Sequence, residues 1–383
     1  MSVLKVNNIQ NASGTDAISI GSDGSLSYPN IGRRNLIING AMQVAQRGTS
    51  ETGITGTKYS SVDRFQIGLA TLGTWTASQS SDAPNGFNVS AKLTCTTADA
   101  SPAAGDVLWF QQLIEAQDCQ SLAYGTSDAK ALTLSFWVKS NVTGTATLTI
   151  LQPDNSNKLL SPTYTISSAD TWEYKTISIP ADTSGLINND NGAGFSIYWM
   201  LNSGTNYSSG TNRTSWATYN AADRNASNLG VGGATSDYFA ITGVQLEVGS
   251  VATPFEHRSY GEELALCQRY FETSFDGGVS TTNTSAANTF VWGGSATATT
   301  TSFVGIGSLR YGTPKRATPT ITIYDLASPR NTGKCHRLQL GIAGINNESV
   351  TVGDNGTSGF TAYSPSGSAA TGFAFAYASD AEL

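Results

Sequence analysis

The sequence predicts a mainly β protein built from antiparallel sandwiches. Forty glycines and only eleven prolines in 383 residues suit many short strands joined by tight turns. Charged residues make up 13% of the chain, about half of the roughly 25% usual in soluble domains. Apolar residues reach 39% and there are seven tryptophans, so the chain can bury a core and wholesale disorder is excluded. This length leaves room for two or three domains.

Residues 1–34 carry a weak strand pattern. The stretches "AISI" and "SLSY" flank the turn "GSDG", which predicts a β-hairpin with Ile18, Ile20, Leu26 and Tyr28 on one face. A lone hairpin is marginal in water. We therefore expect this segment to contact other copies of the chain or to dock onto another protein.

Residues 35–257 read as strand after strand. "AKLTCT", "ALTLSFWVKS", "GFSIYWML" and "YFAITGVQLE" alternate or run apolar for about six residues each, and turn clusters such as "SDAPNG" and "INNDNGAG" separate them. Several strands at this spacing without intervening helices predict an antiparallel β-sandwich.

The one clear amphipathic helix is expected in residues 258–275. Ser259 followed by Glu262 forms a capping box, and four residues then share one stripe of a 3.6-residue period: Tyr260, Leu264, Cys267 and Phe271. A helix of about thirteen residues is marginal alone, so this stripe must be covered. It packs either on the sandwich of its own chain or on the same helix of neighbouring subunits around a symmetry axis. We favour the second arrangement, a helical neck, because the segment joins two β domains.

Residues 276–383 return to β character. "TFVWGG", "TSFVGIGSLRYG", "TPTITIYD", "CHRLQLGIAGI" and "TGFAFAYASDAEL" are predicted strands, whereas "DNGTSGF" and "SPSGSAATG" are predicted loops. This part is expected to form a second, smaller sandwich.

Charge and cysteine content exclude several classes of function. The net charge is -7 and no Lys/Arg run occurs, which argues against nucleic acid and an anionic membrane surface as binding partners. No apolar run reaches the ~20 residues of a bilayer span, and the N-terminus lacks the apolar core of a signal peptide.

Four widely spaced cysteines indicate free, mostly buried thiols. Two histidines exclude a multi-histidine metal centre, so we expect no cofactor.

The sequence contains only weak indications of a catalytic site. A glycosidase needs two carboxylates flanking the scissile bond, and Glu115 with Asp118, or Asp106 nearby, are candidates. Isolated carboxylates are more often solvated surface charges, and there is no GxSxG nucleophile motif. We therefore predict a protein that is not an enzyme.

Sugar recognition needs aromatic faces and polar side chains on loops rather than a fixed motif. The loop at residues 206–225 gathers Tyr207, Arg213, Trp216 and Tyr219, which either bind a ligand or simply close the end of the sandwich. In the C-terminal part, four residues are predicted to lie on distal loops and to bind a receptor: Tyr324, Arg330, Phe360 and Tyr363.

Several segments resemble tail fibres and related tail proteins of bacteriophages. They are "RRNLIINGAMQVAQRGTS", "YSSVDRF", "LTLSFWVKS", "ITGVQLEVGSVATPFEHRSYGEELALCQRYFE" and the terminal "YASDAEL". The opening "LKVNNIQNASGTDAISIGSDGSLSY" is similar to a leader of many phage virion proteins. Residues 35–257 also resemble a jelly-roll carbohydrate-binding module, with "NLIINGAM" as first strand and "FAITGVQLEVG" as last. An acidic calcium-ligand cluster, which such modules often place near the first strand, is absent from this stretch.

The resemblance implies a homotrimeric fibre of the virion tail, assembled in the host cytoplasm. Residues 1–34 would bind other tail or baseplate proteins, residues 35–257 would form the jelly-roll shaft, and 276–383 a head that binds a host cell-surface glycan. The neck would couple the β modules in register. Two alternatives stay open: a structural connector or decoration protein without receptor binding, and a glycan-degrading enzyme.

Overall fold

Strands dominate every part of the chain that the structure describes. The computed structural model describes residues 6, 8–10, 16–20, 26–27, 33–155, 158–275, 291–293, 304–327, 330–339, 342–364 and 372–383. Several antiparallel sheets make up these parts, which confirms the mainly β class.

The N-terminal segment forms a small sheet of its own. Its strands are β1 (Asn8–Gln10), β2 (Asp16–Ile20) and β3 (Leu26–Ser27), hydrogen-bonded in that order. The sheet is antiparallel and has one strand more than the predicted hairpin. Tyr28, assigned to the same face, lies outside the described residues.

Two facing sheets form the central sandwich. Their strands are β4 (Ser50–Ile54), β5 (Lys58–Tyr59), β6 (Gln66–Ala70), β7 (Thr74–Ser80), β8 (Ser90–Thr97), β9 (Val107–Glu115), β10 (Leu132–Ser140), β11 (Gly144–Gln152), β12 (Lys158–Leu160), β13 (Thr163–Ile166), β14 (Glu173–Ile179), β15 (Ala193–Ser203) and β16 (Tyr238–Val248). The six-stranded sheet has the order β14-β10-β16-β8-β7-β4, and the seven-stranded sheet has the order β12-β11-β15-β9-β6-β5 with β13 beside β11. The chain crosses repeatedly between the two sheets, as in a jelly roll.

Strand alternation places the core between these sheets. In β10, Leu132, Leu134 and Phe136 are fully buried, so the residues between them point to the outer face. The indole of Trp199, on β15, lies 5.7 Å from the Phe136 ring and 6.4 Å from Phe65 between ring centres. Large aromatic residues from both sheets therefore fill the sandwich.

The prediction of a first strand at "NLIINGAM" is wrong, because residues 35–42 have no strand conformation. Asn39 and Met42 adopt positive φ angles of 60° and 59°, which interrupt an extended chain. The two ends of the sandwich nevertheless lie together, since the Leu36 N–H donates to the Leu246 carbonyl at 2.9 Å.

The helices are short. They are α1 (Thr205–Ser208), α2 (Tyr260–Gln268) and the 3₁₀ turns Ala116–Leu122, Pro153–Asn155 and Ala221–Asp223. No helix in the described part of the chain combines the length and the apolar character of a membrane span. The Ser259 hydroxyl caps α2 by accepting from the Glu262 N–H at 3.3 Å, as predicted. The predicted helix to Phe271 is wrong, because α2 stops at Gln268 and Phe271 starts a strand that pairs with the end of the chain.

The C-terminal part forms two further sheets. Its strands are β17 (Phe271–Thr273), β18 (Val291–Gly293), β19 (Val304–Arg310), β20 (Thr320–Tyr324), β21 (Lys334–Gln339), β22 (Ile342–Ser349), β23 (Thr351–Gly356), β24 (Gly359–Ser364) and β25 (Gly372–Asp380). β25 pairs with β17, β18, β20 and β21, and a separate sheet has the order β19-β24-β23. Phe360, Phe373 and Phe375 lie in the core between them.

The end of the chain returns to the jelly roll. The Ala381 N–H donates to the Tyr270 carbonyl at 2.7 Å. The Arg47 guanidinium lies 3.1 Å from an oxygen of Asp380 and 3.4 Å from one of Glu382. Glu382 also forms an ion pair with Arg64. Charged contacts thus join the C-terminal strands to the central sandwich.

Candidate functional site

Aromatic side chains line an open groove on the outer face of the six-stranded sheet. Its volume is about 560 Å³, within the range of small-molecule sites. The lining residues of this aromatic groove are Asn85, Gly86, Phe87, Ser135, Trp137, Tyr174, Gly243, Ala252, Thr253, Pro254, Phe255 and His257.

Trp137 and Tyr174 form one wall. Trp137 points outward because Phe136 and Val138, on either side of it in β10, face the core. It lies opposite Tyr174 in the register of β10 with β14, and the two ring centres are 5.3 Å apart at 49°. Tyr174 is 44% exposed, so this wall offers an aromatic surface to a ligand.

Phe87, Phe255 and His257 form the other wall. The Phe87 ring centre lies 5.0 Å from Phe255 and 5.4 Å from His257. Two polar residues of β16 hold the loop that carries this wall. A Glu247 oxygen accepts from the Thr253 N–H at 2.8 Å, and a Gln245 oxygen accepts from the Glu256 N–H at 2.8 Å. Hydrogen bonds to two buried side chains therefore fix the part of this wall that carries Phe255 and His257.

Gly243 forms the floor of the aromatic groove, where a residue with a side chain would not fit. Its φ is +62°, in the left-handed region. A Cβ at this position would lie 2.6 Å from Cζ of Phe87 and 3.0 Å from Cδ1 of Trp137. A side chain here would push the two walls apart, so glycine allows the rings to meet.

A charged pair lies along the same face. Lys139 is two residues from Trp137 in β10, and its ammonium contacts Asp82 at 2.8 Å. Asp82 also accepts from Nε1 of Trp172 at 3.0 Å. The hydrogen bond from Lys139 holds the pKa of Asp82 below its usual value, which keeps this carboxylate ionised. The groove thus combines aromatic rings, which can contact the apolar face of a ring-shaped ligand, with charged and amide groups that can hydrogen-bond to its polar groups.

Two of the residues predicted to bind a ligand in the loop at residues 206–225 instead make contacts within the chain. Trp216 closes the end of the sandwich: its Nε1 donates to the Pro180 carbonyl at 2.8 Å, and its ring contacts Phe195. Arg213 pairs with Asp223 at 2.7 Å. Tyr219 remains 37% exposed. The alternative in which Trp216 packs against the sandwich is therefore the one observed.

The placement of Phe360 on an exposed distal loop is wrong. Phe360 lies in β24 and is only 2% exposed, and its ring contacts Phe375 and Tyr377. "DNGTSGF" folds as the turn of a tight hairpin between β23 and β24, so the ring enters the core. Tyr363, also in β24, is partly exposed.

Tyr324 and Arg330 meet at Phe275. The Tyr324 ring centre lies 5.6 Å from that of Phe275, and the Arg330 guanidinium carbon lies 5.3 Å from the Phe275 ring centre. Burial lowers the pKa of Arg330, and its Nη1 donates to the Asp325 carbonyl at 2.8 Å. The side chains of Tyr324 and Arg330 thus both pack against Phe275.

Tyr324 also lines a second groove, between the jelly roll and the C-terminal strands. This junction groove measures about 570 Å³. Its lining residues are Arg47, Ser50, Glu51, Thr52, Lys58, Tyr59, Phe271, Thr322, Tyr324, Ala378 and Asp380. Of the four predicted receptor-binding residues, Tyr324 alone is among them.

The predicted neck stripe is divided. Cys267 and Phe271 are 0% and 4% exposed within one chain, and the Phe271 ring lies 3.7 Å from the Arg47 guanidinium. Tyr260 is 49% exposed and Leu264 is partly exposed. Only these last two residues are left for contact with another subunit, and the homotrimer stays a prediction.

The segment around α2 packs on its own jelly roll. An oxygen of Glu263 accepts from the Asn39 N–H at 2.5 Å and contacts Arg258 at 3.3 Å. Arg269 grips the fully buried Glu115 with two hydrogen bonds of 2.8 Å. Although burial alone would raise it, the pKa of Glu115 is lowered by these bonds. A general acid needs the opposite shift, so Glu115 acts as a structural anion.

All four cysteines are buried and free, as predicted. The one feature of the aromatic groove that the sequence signals is the outward direction of Trp137 in "ALTLSFWVKS". The sequence does not predict the contact among Phe87, Phe255 and Gly243, because it depends on parts of the chain that are far apart in the sequence.

No protein-family model and no curated protein matches this chain. Among solved structures, it is similar to the enzymatically active domain of tailspike protein 4 of bacteriophage CBA120, with 14% identity and a TM-score of 0.29 over 56% of this chain and 21% of that one. It is also similar to a putative sugar-binding protein of Bacteroides thetaiotaomicron, with 10% identity and a TM-score of 0.32 over 56% of this chain and 100% of that one.

A third similar structure is the C-terminal family 22 carbohydrate-binding module of Xyn10B of Clostridium thermocellum, with 12% identity and a TM-score of 0.28 over 55% of this chain and 100% of that one. At these identities and TM-scores the similarities carry no argument about function.

Proposed function

We propose that this protein is a glycan-binding, non-enzymatic attachment protein of a bacteriophage tail fibre. The observation that carries the proposal is the aromatic groove. Trp137, Tyr174 and Phe87 present ring faces there, and the C–H face of a sugar ring packs well on such surfaces. Asn85, the His257 imidazole and the nearby Asp82–Lys139 pair supply hydrogen-bonding partners for sugar hydroxyls.

The place in a virion rests on the sequence resemblance, above all on residues 241–272 and on the leader-like opening. In this proposal residues 1–34 hold the fibre to other tail or baseplate proteins, and the chain assembles as a homotrimer in the host cytoplasm. The glycan is one of the host cell surface. In this proposal the junction groove, which Tyr324 lines, adds contacts to the glycan.

Binding of neutral oligosaccharides from the host surface tests this proposal. Trp137→Ala and Tyr174→Ala should each weaken binding by about two- to twelvefold, the value of an aromatic contact of ~0.5–1.5 kcal/mol. Tyr219→Ala is the matched control, because Tyr219 is 37% exposed but lies outside the groove. Isothermal titration calorimetry measures the affinities.

The purified protein should also compete with phage adsorption, and the two groove variants should compete less well. Folded protein that binds no host glycan and does not compete would overturn the proposal. The structural-connector alternative would then explain the chain.

A further inference from the structure

A second cluster of aromatic residues lies on the outer face of the seven-stranded sheet, on the opposite side of the sandwich. In β9 and β15, Leu108, Phe110 and Ile197 face the core. Trp109 and Tyr198 therefore point outward, where their rings lie 5.9 Å apart between centres. Both are partly exposed.

Arg224 covers this pair. Its guanidinium carbon lies 4.9 Å from the ring centre of Tyr198, 5.1 Å from Trp109 and 5.6 Å from Tyr207. Arg224 is only 8% exposed. Its carbonyl accepts a hydrogen bond from the Thr149 hydroxyl on β11, so the backbone that carries it is tied to the sheet.

The Arg224 guanidinium has no hydrogen-bond acceptor or carboxylate partner within the described ranges of the chain, and its Nε is buried without a partner. The adjacent Asp223 is already engaged, since it pairs with Arg213 at 2.7 Å and accepts from the Thr211 N–H at 2.8 Å. Arg64 and Arg258 also have a buried Nε without a partner, but each contacts a glutamate.

Leaving a buried cation without a counter-charge is costly. Three aromatic rings offset part of that cost through cation–π attraction of about 0.5–2 kcal/mol each. They do not satisfy its N–H groups, of which a guanidinium has five. The arrangement is stable enough to hold Arg224 in place and leaves its donors available to a ligand.

At the floor of the cluster, the Trp109 indole closely approaches the backbone of Gly68. A Cβ on Gly68 would lie 1.9 Å from the Trp109 indole, so the indole rests flat on the backbone of β6. Its Nε1 donates to Gln111 at 2.7 Å, and Nε2 of Gln111 donates to Gln66 at 2.5 Å. These two amides hold the Trp109 indole in place.

We propose that this cluster binds a carboxylate-bearing sugar, such as a hexuronic acid, with its carboxylate on Arg224. A carboxylate accepts two parallel hydrogen bonds from a guanidinium, which is the partner that Arg224 lacks. The sugar ring packs against Trp109 and Tyr207. The sugar part of the inference rests on the proposed glycan-binding function, and the carboxylate part rests on Arg224.

The test uses the full-length protein and a panel of glucuronate, galacturonate and mannuronate oligosaccharides, each beside its carboxyl-reduced form. Calorimetry should show that at least one acidic oligosaccharide binds tenfold or more tightly than its reduced form. Arg224→Gln should abolish this preference. Arg224→Lys should keep a small part of it, because an ammonium contacts a carboxylate without the paired geometry.

Tyr174→Ala is the control that separates the two sites, since it should weaken neutral glycan binding and leave the acidic preference unchanged. An acidic preference that persists in a folded Arg224→Gln protein would overturn the inference. Equal binding of every acidic and reduced pair by the unmodified protein would also overturn it, and this comparison needs no variant to fold. If the unmodified protein prefers an acidic oligosaccharide but binds no neutral glycan, the inference about Arg224 stands and the proposal for the aromatic groove fails.

Discussion

The carboxylate of Glu382 forms a buried ion pair with the guanidinium of Arg64, 318 positions earlier in the sequence. The two side chains are 5% and 1% exposed. The Arg64 guanidinium also lies 3.3 Å from the ring centre of Tyr270 and donates to the Leu113 carbonyl at 2.7 Å. One arginine thus joins the jelly roll, the segment after α2 and the end of the C-terminal sheet.

Replacing Glu382 with Ala should be strongly destabilising. It would leave Arg64 buried with no carboxylate, and breaking one side of a buried pair costs about 3–5 kcal/mol. Urea unfolding followed by fluorescence should show a clearly lower midpoint. Arg33→Ala is the matched control, because its pair with Glu262 is exposed at 64% and 36% and should contribute less than ~1 kcal/mol. Equal effects of the two variants would contradict the buried role of Glu382.

Asp63 should make the protein more stable as the pH falls from 7 to 5. Burial raises the pKa of Asp63 to about 6 against the opposing effect of Arg47. The folded carboxyl therefore binds a proton more tightly than the unfolded one, and its favourable contribution is lost as the pH rises through 6. Between pH 7 and pH 5 this group should add about 1–2 kcal/mol to the free energy of unfolding. Thermal unfolding at each pH, beside Asp63→Asn, is the measurement. A variant with an unchanged slope in this window would refute the assignment.

Gly243→Ala should close the aromatic groove. The new methyl group would meet Phe87 and Trp137, and the left-handed backbone adds strain of about 1 kcal/mol. We expect loss of neutral glycan binding together with a modest fall in melting temperature. Gly53→Ala is the control, since Gly53 has φ +72° with nothing within 4 Å of its Cβ. It should show the strain without the loss of binding.

Phe360→Ala should unfold or loosen the C-terminal sheets, at a cost of about 3–5 kcal/mol for a buried phenylalanine. Tyr324→Ala should change stability much less, because Tyr324 is partly exposed at the junction groove. Melting temperatures of both variants, together with host-cell binding of Tyr324→Ala, separate stability from recognition. A stable Phe360→Ala protein would contradict the observed core.

The homotrimer predicts a specific response at the surface of α2. Tyr260→Asp and Leu264→Asp should dissociate a trimer into folded single chains, because they place charges on the exposed part of the stripe. Light scattering should report three chains before substitution and one afterwards. A single chain before substitution would exclude the trimer. Substitutions at Cys267 or Phe271 would not test assembly, since both are buried within one chain.

Much of the jelly roll could be predicted from period-two alternation. The pattern of "ALTLSFWVKS" assigns Leu132, Leu134 and Phe136 to the core and Trp137 to the other face, as the structure has them. The end of α2 could not be predicted in this way. Phe271 continues the helical stripe, but pairing of Phe271 with Asp380 in the last strand overrides local periodicity.

The site was less accessible to sequence reasoning because it depends on long-range contacts. Phe87 and Phe255 are 168 residues apart, and Glu247 and Gln245 hold the loop after β16 that brings Phe255 to Phe87. Phe360 was misplaced for a local reason. Gly, Asn, Ser and Thr are typical of loops, yet here the Asn and Gly residues lie in β23 and β24, and only Thr357 and Ser358 form the turn of the hairpin that carries Phe360 inward.

The pairing of β17 with β25 has a mechanical consequence. Because Phe271 is joined to Asp380 in one sheet, the two ends of the C-terminal part lie side by side, next to the jelly roll. A force applied to β25 would therefore reach the jelly roll through the ion pairs of Arg47 and Arg64 with the end of the chain, as well as through β17. These side-chain contacts connect the two parts without passing along α2, so the helix is not their sole mechanical connection.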